Sequence, residues 1–347
     1  MYTIELYRIE NNAFVLVDEL ISFSEFEYSQ EYNAVGMLEF TLNVKDIKAT
    51  PNNITRHRTQ VLVKRDGLPE WLGVVRHISG NKSPSGGDVT IQCLEYVSHL
   101  MRRYSGAYAT YTGTGDSIYT NLIAEIQARP NGNLLINNGT VDTLPAMQDT
   151  FEYKSVFDIL ADQSDNINGF AFWLEPVIDA NKRLASVNFN LVKSRGIVRS
   201  DIPPLRLNEN VQSISYSTQD DIVNTITMLG AGTGEEVITV NSEDVSSQIA
   251  FTRLEGVYKE SDQTTQEYVQ VLANRKLEQN KAEKYHIDLE LIPNSNADSI
   301  SIGDIVNVDI RDGGFTNFVG SGKCFAITKA VDINGVTTTI PRLQLYL

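Results

Sequence analysis

The alternation of apolar and polar residues with a period of two runs through most of this chain and most constrains its fold. Residues 3–9 (TIELYRI) alternate in this way, and so do residues 38–44 (LEFTLNV). Successive side chains of a β-strand point to opposite faces, so this period is typical of strands with one buried face. Many short runs separated by turn residues favour antiparallel barrels or sandwiches. The sequence therefore predicts a mainly β protein with α+β insertions.

Residues 1–103 are predicted to form an N-terminal β-barrel-like domain. Its strand-like runs and turn are residues 61–63 (VLV), 65–67 (RDG), 71–78 (WLGVVRHI) and 89–94 (VTIQCL). A weak echo of this order recurs in residues 306–308, the turn 312–314, Gly322, and residues 325–327 and 336–340. Antiparallel meanders share such features by chance, so duplication and coincidence both remain open. A true duplication would give two tube-like antiparallel barrels separated by inserted material.

The middle of the chain has a different pattern, and residues 104–204 are predicted to form an α+β inserted domain. Asp116 is placed to cap a helix over 117–126, and Ser155 to cap a second helix from Val156 to about Ser164. The run 200–204 (SDIPP) has the composition of a linker.

Two further segments complete the predicted organisation. Residues 205–284 are predicted to be a linking segment of strands plus one helix, which runs from about Thr265 to Asn280. Four apolar residues lie on one face of that helix: Val269, Leu272, Ala273 and Leu277. Residues 285–347 are predicted to form a C-terminal β-barrel-like domain, and strands from 205–250 are candidates to complete it.

Charge and composition exclude several classes of function. The chain carries 44 Asp and Glu against 29 Lys and Arg, a formal net charge of −15, which disfavours a protein that grips nucleic acid through its phosphates. No run is long and apolar enough for a membrane-spanning segment, and the N-terminus lacks the basic start and apolar block of a signal peptide. We therefore expect a chain made in the cytoplasm.

Cysteine and histidine usage predicts no metal site and no cofactor. Cys93 and Cys324 lie in apolar strand-like runs, and buried free thiols are favoured over a disulfide between them. The four histidines lack metal-type spacing to one another or to cysteines; they are His57, His77, His99 and His286.

Motifs that could carry chemistry also have simpler explanations. The glycine-rich run 230–234 (GAGTG) precedes a strand-like run rather than a helix, which favours a hairpin turn over a phosphate-binding loop. The run 115–117 (GDS) does not follow an apolar strand, as a serine-esterase elbow would. Cys93 and His99 do not form a recognisable thiol-protease signature, and no spacing singles out a pair of glycosidase carboxylates. No catalytic residue is predicted.

Several runs resemble the baseplate-hub and tail-tip proteins of long-tailed phages. The C-terminal runs are residues 265–277 (TQEYVQVLANRKL), 285–291 (YHIDLEL), 302–308 (IGDIVNV), 325–327 (FAI) and 343–345 (LQL). The N-terminal runs are residues 26–42 (FEYSQEYNAVGMLEFTL) and 71–75 (WLGVV). The resemblance covers most of the chain in order and is weakest from about 105 to 200. Its motifs consist mainly of turn and core residues.

The resemblance implies a structural subunit that forms the hub or tip of a phage tail in the virion, after assembly in the host cytoplasm. Members of that family form homotrimers in which two tube-like barrels per subunit mimic a hexameric ring and continue and close the tail tube. The implied partners are a tail-tube or distal tail ring protein, a tape-measure protein, receptor-binding or spike proteins that use the hub as an attachment platform, and DNA that passes without specific binding.

Two expectations accompany this interpretation. Many relatives carry cell-wall or receptor activity in a C-terminal extension, whereas this chain stops at Leu347, so such activity is expected in another protein. The acidic composition predicts a channel wall that is net negative or neutral. The alternative functions are a carbohydrate- or receptor-binding β module of the virion tail and, less favoured by the motifs, a hydrolase.

Overall fold

The structure is a computed structural model of the 347-residue chain. It describes residues 1–24, 26–107, 109–164, 169–218, 222–260, 265–293, 295–311, 313, 317–332 and 335–346. Strand accounts for 49% and helix for 18%, so the chain is mainly β with small insertions, as the alternation predicts. No helix in the described ranges is long and apolar enough to cross a membrane.

Seven antiparallel strands form the N-terminal part of a large sheet. They are β1 (Tyr2–Glu10), β2 (Ala13–Leu20), β3 (Phe26–Glu31), β4 (Met37–Asn43), β5 (Gln60–Arg65), β6 (Leu68–Gly80) and β7 (Asp88–Glu95). Their order in the sheet is β2-β1-β5-β6-β7-β4-β3. Every second side chain points into one apolar core, which includes Ile4, Phe40, Val61, Trp71 and Ile91. A 3-10 helix, Tyr96–Arg102, leads out of β7.

The next part of the chain is an α+β unit whose core also includes Tyr7, Leu62 and Leu72 of the N-terminal sheet. Its elements are β8 (Ala109–Thr114), α1 (Gly115–Gln127), β9 (Ile136–Val141), β10 (Ala146–Phe151), α2 (Val156–Ser164), β11 (Ala171–Ile178) and β12 (Leu184–Val192). β8 pairs with β10, while β12 lies between β11 and β9 in a second small sheet. Residues such as Leu122, Leu160 and Phe189 from both helices and the second sheet share one buried cluster.

The two predicted helix caps have different outcomes. Ser155 caps α2 as predicted, because its Oγ accepts a hydrogen bond from the backbone N–H of Asp158 at 3.0 Å. The cap predicted at Asp116 is wrong. Helix α1 already begins at Gly115, behind Thr114, and the Asp116 carboxylate instead accepts a hydrogen bond from the backbone N–H of Leu144 at 2.9 Å. Asp116 therefore ties a loop to the first turn of the helix.

Among its described residues, the C-terminal half has eight strands and two α-helices. They are β13 (Val211–Thr218), β14 (Thr225–Leu229), β15 (Thr239–Glu243), α3 (Val245–Phe251), β16 (Glu255–Lys259), α4 (Gln266–Asn280), β17 (Tyr285–Leu291), β18 (Ile305–Arg311), β19 (Asn317–Val331) and β20 (Thr337–Tyr346). Two short 3-10 helices lie at Gly234–Glu236 and Asn296–Ser299. In the predicted turn 312–314, Asp312 and Gly314 lie outside the described residues.

A small unit lies between β13 and β17 along the chain. Its sheet has the order β15-β14-β16, and α4 packs on it through Val269, Leu272, Ala273 and Leu277, the face predicted from the sequence. β14 and β15 pair antiparallel, so the glycine-rich run 230–234 connects the two strands of a hairpin, as predicted.

The remaining strands extend the large sheet in the order β13-β17-β20-β19, with β18 also paired to β19. The linker interpretation of residues 200–204 does not hold. Ile202 and Leu205 are buried in the core of these strands, and Val198 and Leu205 form bridges to β18. The proline pair resembles a linker in composition, but the apolar residues beside it anchor the segment to the sheet.

A buried ion cluster joins the N-terminal sheet to the α+β unit. The Glu5 carboxylate on β1 lies 2.8 Å from Lys64 Nζ on β5, and both side chains are only 5% exposed. Arg183, in the turn before β12, donates to the same carboxylate at 2.8 Å. The Tyr7 hydroxyl also donates to Glu5 and accepts from the backbone N–H of Leu184. Burial raises the pKa of Tyr7, with Glu5 adding to the effect, so the phenol stays a donor.

We expect Lys64→Met to lower the free energy of unfolding by about 3 kcal/mol, because it leaves the buried Glu5 carboxylate without its buried cation. Lys154→Met is the control, since Lys154 pairs with Asp162 at the surface and should cost at most about 0.5 kcal/mol. Urea denaturation followed by circular dichroism measures both. Equal midpoints for the two variants would contradict a structural role for the Glu5 cluster.

Candidate assembly surface

The large sheet contains the same five-stranded connectivity twice. In the N-terminal repeat the strands are ordered β3-β4-β7-β6-β5, and in the C-terminal repeat β13-β17-β20-β19-β18. Each strand has the same rank along the chain in both repeats, and every neighbouring pair is antiparallel. The echo in the sequence therefore has a structural counterpart, since β5, β6 and β7 correspond to β18, β19 and β20.

A shared irregularity fixes the correspondence residue by residue. The β6–β7 pairing shifts between Val75 and His77, and the β19–β20 pairing shifts between Cys324 and Ala326. One extra residue thus bulges at the same place in both long strands, and bulges of this kind bend a strand. When the two bulges are aligned, His77 of β6 corresponds to Ala326 of β19.

The two repeats are joined edge to edge by β3 and β19. β19 is long: its first half pairs with β18, and residues 326–331 pair antiparallel with β3. In this register Ser29 lies opposite Thr328 and Tyr28 lies opposite Lys329. The backbone N–H of Tyr32 extends the pairing by donating to the carbonyl of Phe325 at 2.7 Å. The junction therefore makes one continuous sheet from the two repeats.

Side chains reinforce this β3–β19 junction. Trp71 Nε1 donates to the backbone carbonyl of Ser29 at 3.0 Å, and Lys329 Nζ lies 3.3 Å from the Glu70 carboxylate. The Tyr28 hydroxyl donates to the same carboxylate, and burial together with the Glu70 charge raises the pKa of Tyr28. Because Glu70 belongs to the first repeat and Lys329 to the second, the ion pair crosses the junction.

The two edges that meet at this junction, β3 and the second half of β19, each have an equivalent edge in the other repeat. β13 corresponds to β3 and ends the order of strands, pairing only with β17 among the strands that the structure describes. The second half of β6 corresponds to residues 326–331 of β19. β5 pairs with β6 only as far as Val74, and His77, Ser79 and Gly80 are exposed. We call β13 and residues 76–80 of β6 the two open edges.

The resemblance motif at residues 302–308 is a clamp that holds the C-terminal repeat to the preceding chain. Gly303 has φ +91° and lies so near Gly196 that a Cβ on it would come within 2.2 Å of the Arg195 carbonyl oxygen. The Asp304 carboxylate is buried and accepts from the backbone N–H groups of Ile197 and Ser301, each at 3.0 Å. Arg199 Nη1 also donates to it at 3.0 Å. Gly303 is therefore required by the close approach of the backbone at Arg195, and Asp304 by the hydrogen bonds that its carboxylate accepts.

One face of the joined sheet is acidic. On strands β3, β4, β7, β17, β19 and β20, the residues opposite the core carry carboxylates at Glu27, Glu31, Glu39, Asp88, Asp288 and Glu290 and cations at Lys323 and Arg342. Glu27 and Glu39 lie directly opposite each other across β3 and β4, an arrangement that costs stability. The face has four more carboxylates than cations.

The residues tested for chemistry are not brought together as a catalytic site. Cys93 packs in the core of the N-terminal repeat, where burial raises the pKa of its thiol. His99 instead hydrogen-bonds Gln60 at 3.1 Å, and burial, with Arg76 and Arg103 adding to it, lowers the pKa of His99 to about 3. An imidazole of such low basicity is a poor general base, and a buried thiol with a raised pKa forms little of the nucleophilic thiolate at neutral pH.

Other candidate residues are also structural in their contacts. Cys324 is a buried free thiol like Cys93, as predicted. His57 Nδ1 lies 2.8 Å from Arg76 Nη1, and the His286 ring packs 4.7 Å from the ring of Phe325. His77 lies on the open edge of β6. Within the described ranges, no group of three or more His, Cys, Asp or Glu could hold a metal ion.

A surface concavity of about 510 Å³ lies between α1, β9 and β12. It is lined by residues without ionisable side chains, Gln127, Asn133 and Ser186 among them.

Solved structures of tail proteins match this fold along almost the whole chain. The 43 kDa tail protein of prophage MuSo2 from Shewanella oneidensis has a TM-score of 0.69 and 11% identity, with 99% of this chain and 98% of that one covered. A tail protein from Neisseria meningitidis has a TM-score of 0.64 and 12% identity, with 99% and 96% covered. The chain has the fold of phage tail proteins. The resemblance expected from its motifs is thus confirmed at the level of fold.

A third match extends the fold beyond phages. A component of the E. coli type VI secretion system, itself structurally similar to the bacteriophage T4 tail proteins gp27 and gp5, has a TM-score of 0.54 and 12% identity. The match covers 99% of this chain and 77% of that protein. No protein-family model matches the sequence, and no curated protein matches it either.

Asp304→Ala should lower the free energy of unfolding by about 3 kcal/mol, because Arg199, with a side chain only 11% exposed, loses a buried partner and two backbone donors lose their acceptor. Asp201→Ala is the matched control. Asp201 also binds Arg199, but it is 65% exposed and should cost less than about 1 kcal/mol. Thermal unfolding measures both; a control as destabilised as Asp304→Ala would contradict the clamp.

Proposed function

We propose that this chain is a structural subunit of the hub or tip of a phage tail, where it continues and closes the tail tube. The joined sheet carries this proposal, because two repeats of one topology fused edge to edge are suited to a ring with twice as many barrels as chains. The fold shared with tail proteins supports the same conclusion, and the virion tail would be its location after assembly in the host cytoplasm.

The assembly that follows from this geometry is a homotrimer with pseudo-sixfold symmetry. Three chains with two barrels each supply six barrels, the number that lets a trimer dock on a sixfold tail-tube or distal tail ring. The N-terminal barrel would comprise residues 1–103, and the C-terminal barrel residues 285–347 with β13 added from the segment 205–284. The α+β unit in residues 104–204 and the small unit around α4 would form the platform for receptor-binding or spike proteins.

The acidic face of the joined sheet is the surface we assign to the channel. A wall with more carboxylates than cations repels phosphates, so DNA and the tape-measure protein could pass without the Lys and Arg contacts that slow a polyanion. The opposed Glu27 and Glu39 support this role, because a pair that costs stability needs another reason to be there.

Catalysis forms no part of the proposed function. The buried, neutral states of Cys93 and His99 support a purely structural role, as does the loop-tying contact of Asp116. A carbohydrate-binding module would gather exposed tyrosines on one concave face. Among the described residues, Tyr104 and Tyr153 lie on two adjoining loop segments, whereas Tyr216 lies on β13 and Tyr268 on α4, so the exposed tyrosines come from three different parts of the fold. A hub subunit therefore accounts for more of the observations than a receptor-binding module.

Native mass spectrometry of the chain, mixed with the tail-tube or distal tail ring protein of the same phage, should detect assemblies containing three copies of the 38.7 kDa chain. A label inserted in the β14–β15 hairpin should appear at the tail tip in electron micrographs. The corresponding control carries the label on the capsid protein. Labels spaced along the tail, or complexes that always contain six copies, would contradict the hub.

The acidic face predicts a charge effect on DNA release. Phage carrying Glu27→Lys and Glu39→Lys together should eject DNA several-fold more slowly at low salt, because the new cations attract phosphates, and added salt should reduce the difference. Glu209→Lys with Glu278→Lys is the control, since these exposed residues change the net charge equally but lie off the acidic face. Identical ejection rates in both double variants would remove this face from the channel.

A further inference from the structure

The β3–β19 junction joins one edge of the first repeat to one edge of the second. Each of these two edges has a counterpart in the other repeat, and those counterparts are the two open edges. β3 of the first repeat meets the second half of β19 in the second repeat. Its counterpart β13 has no such partner among the described strands, and the same holds for residues 76–80 of β6, the counterpart of residues 326–331. The chain thus forms one edge-to-edge strand pairing, although each repeat carries the strands for a second pairing of the same kind.

We propose that β13 of one copy pairs antiparallel with residues 76–80 of β6 in the neighbouring copy, repeating the β3–β19 junction between chains. The inference deepens the proposed ring and rests on it. Because the two edges differ, the contact is head-to-tail, and successive copies would continue one sheet around the ring until it closes. Each copy would then end with neither edge exposed.

The register of this pairing follows from the ladders within the chain. Tyr28 pairs with Leu38 on β4, and Tyr216 pairs with Ile287 on β17. Leu38 and Ile287 pair in turn with Cys93 and Leu343 at the centres of β7 and β20. Tyr216 is therefore the counterpart of Tyr28, and Ser217 is the counterpart of Ser29.

The other edge is aligned by the bulges. Since His77 corresponds to Ala326, Ser79 corresponds to Thr328, which lies opposite Ser29 at the junction. The predicted pairs between copies are accordingly Ser217 with Ser79, Tyr216 with Gly80, and Thr218 with Ile78.

The open edge of β13 lacks the features that protect an edge strand from pairing. The bulge at the start of residues 76–80 has its counterpart beside the β3–β19 junction, where pairing does occur. Isolated edge strands are commonly protected by charges, prolines or bulges. β13 has none of these over Ile214–Thr218, and its residues from Ser215 onward are exposed on both faces. Tyr216 is 41% exposed, whereas its counterpart Tyr28 at the junction is 2% exposed. A neighbouring strand would bury the part of the Tyr216 side chain that is exposed in the single chain.

The open edges are also electrostatically compatible. The residues predicted to face each other are uncharged: Tyr216, Ser217 and Thr218 on one copy, and Ile78, Ser79 and Gly80 on the other. The β2 edge is a weaker candidate, because β2 packs against β12 of the α+β unit. β13 and residues 76–80 therefore fit each other better than either fits β2.

Disulfide trapping between two separately purified variants tests the register. Directly opposed residues on antiparallel strands have Cα atoms about 4.5–5.5 Å apart, within the range of a disulfide. A mixture of Ser79→Cys and Ser217→Cys protein, incubated with a mild oxidant, should give a covalent dimer at least tenfold faster than either variant alone. Cys93 and Cys324 are buried with raised pKa values, so they add little background.

Ser213→Cys replaces Ser217→Cys in the control mixture. Ser213 is exposed on the same face of β13 but lies about 13 Å further along the strand, so its mixture with Ser79→Cys should cross-link no faster than the single variants. The double variant Ser79→Cys/Ser217→Cys should form closed covalent trimers.

The outcomes separate the pairing from the proposed assembly. Trimers by native mass spectrometry that cross-link at Ser79 and Ser213, or at neither pair, would overturn the pairing while leaving the hub intact. Specific Ser79–Ser217 cross-links in open chains or hexamers would support the pairing and contradict the trimer. Protein that stays monomeric at millimolar concentration and gives no specific product would also overturn the pairing, because the two edges would then lack affinity for each other.

Discussion

The backbone pairing of β3 with β19 is the contact on which the rest of this structure depends. It joins strands separated by nearly the whole chain, Phe26–Glu31 at one end and residues 326–331 at the other. Without it, the two repeats would be separate units connected only through their insertions. With it, their relative position is set by ladder hydrogen bonds, by the Glu70–Lys329 ion pair, and by the Trp71 indole on the Ser29 carbonyl.

The insertions lie where they leave this joined sheet intact. The α+β unit follows β7 and is held to the N-terminal repeat by the buried Glu5 cluster and by Asn33, whose side chain donates to the Phe170 carbonyl and accepts from the Phe172 N–H. The small unit around α4 separates β13 from β17 along the chain, yet the two strands still pair. In the proposed hub, variation in these units would change the attachment surface while the repeats are retained.

Local patterns in the sequence predicted local structure well. Alternation predicted the strands, the predicted apolar face of α4 is the one that packs on β14 and β15, and Ser155 marked the start of α2. The clearest omission is α3, Val245–Phe251, which has too few turns for a visible helical period. Its start carried a signal nonetheless, since Asp244 accepts a hydrogen bond from the Ser247 N–H at 2.9 Å, as an N-cap does.

What could not be predicted involves contacts between distant residues. An aspartate before a helical run looks the same whether it caps the helix or, like Asp116, binds the loop at Leu144. The meaning of Gly303–Asp304 depends on Gly196 and Ile197, more than a hundred residues earlier. The echo between the repeats was visible as glycine and valine spacing, but only the ladders reveal the shared bulge and the two open edges.

A reconstruction of the assembled tail tip at a resolution that separates strands would show whether copies of this chain form the proposed ring. We expect three copies of this chain and six barrels, with one continuous sheet that passes through every β3–β19 junction and whose acidic face lines the channel. Six copies or a single copy at the tip, or neighbouring repeats that meet without continuing the sheet, would contradict it.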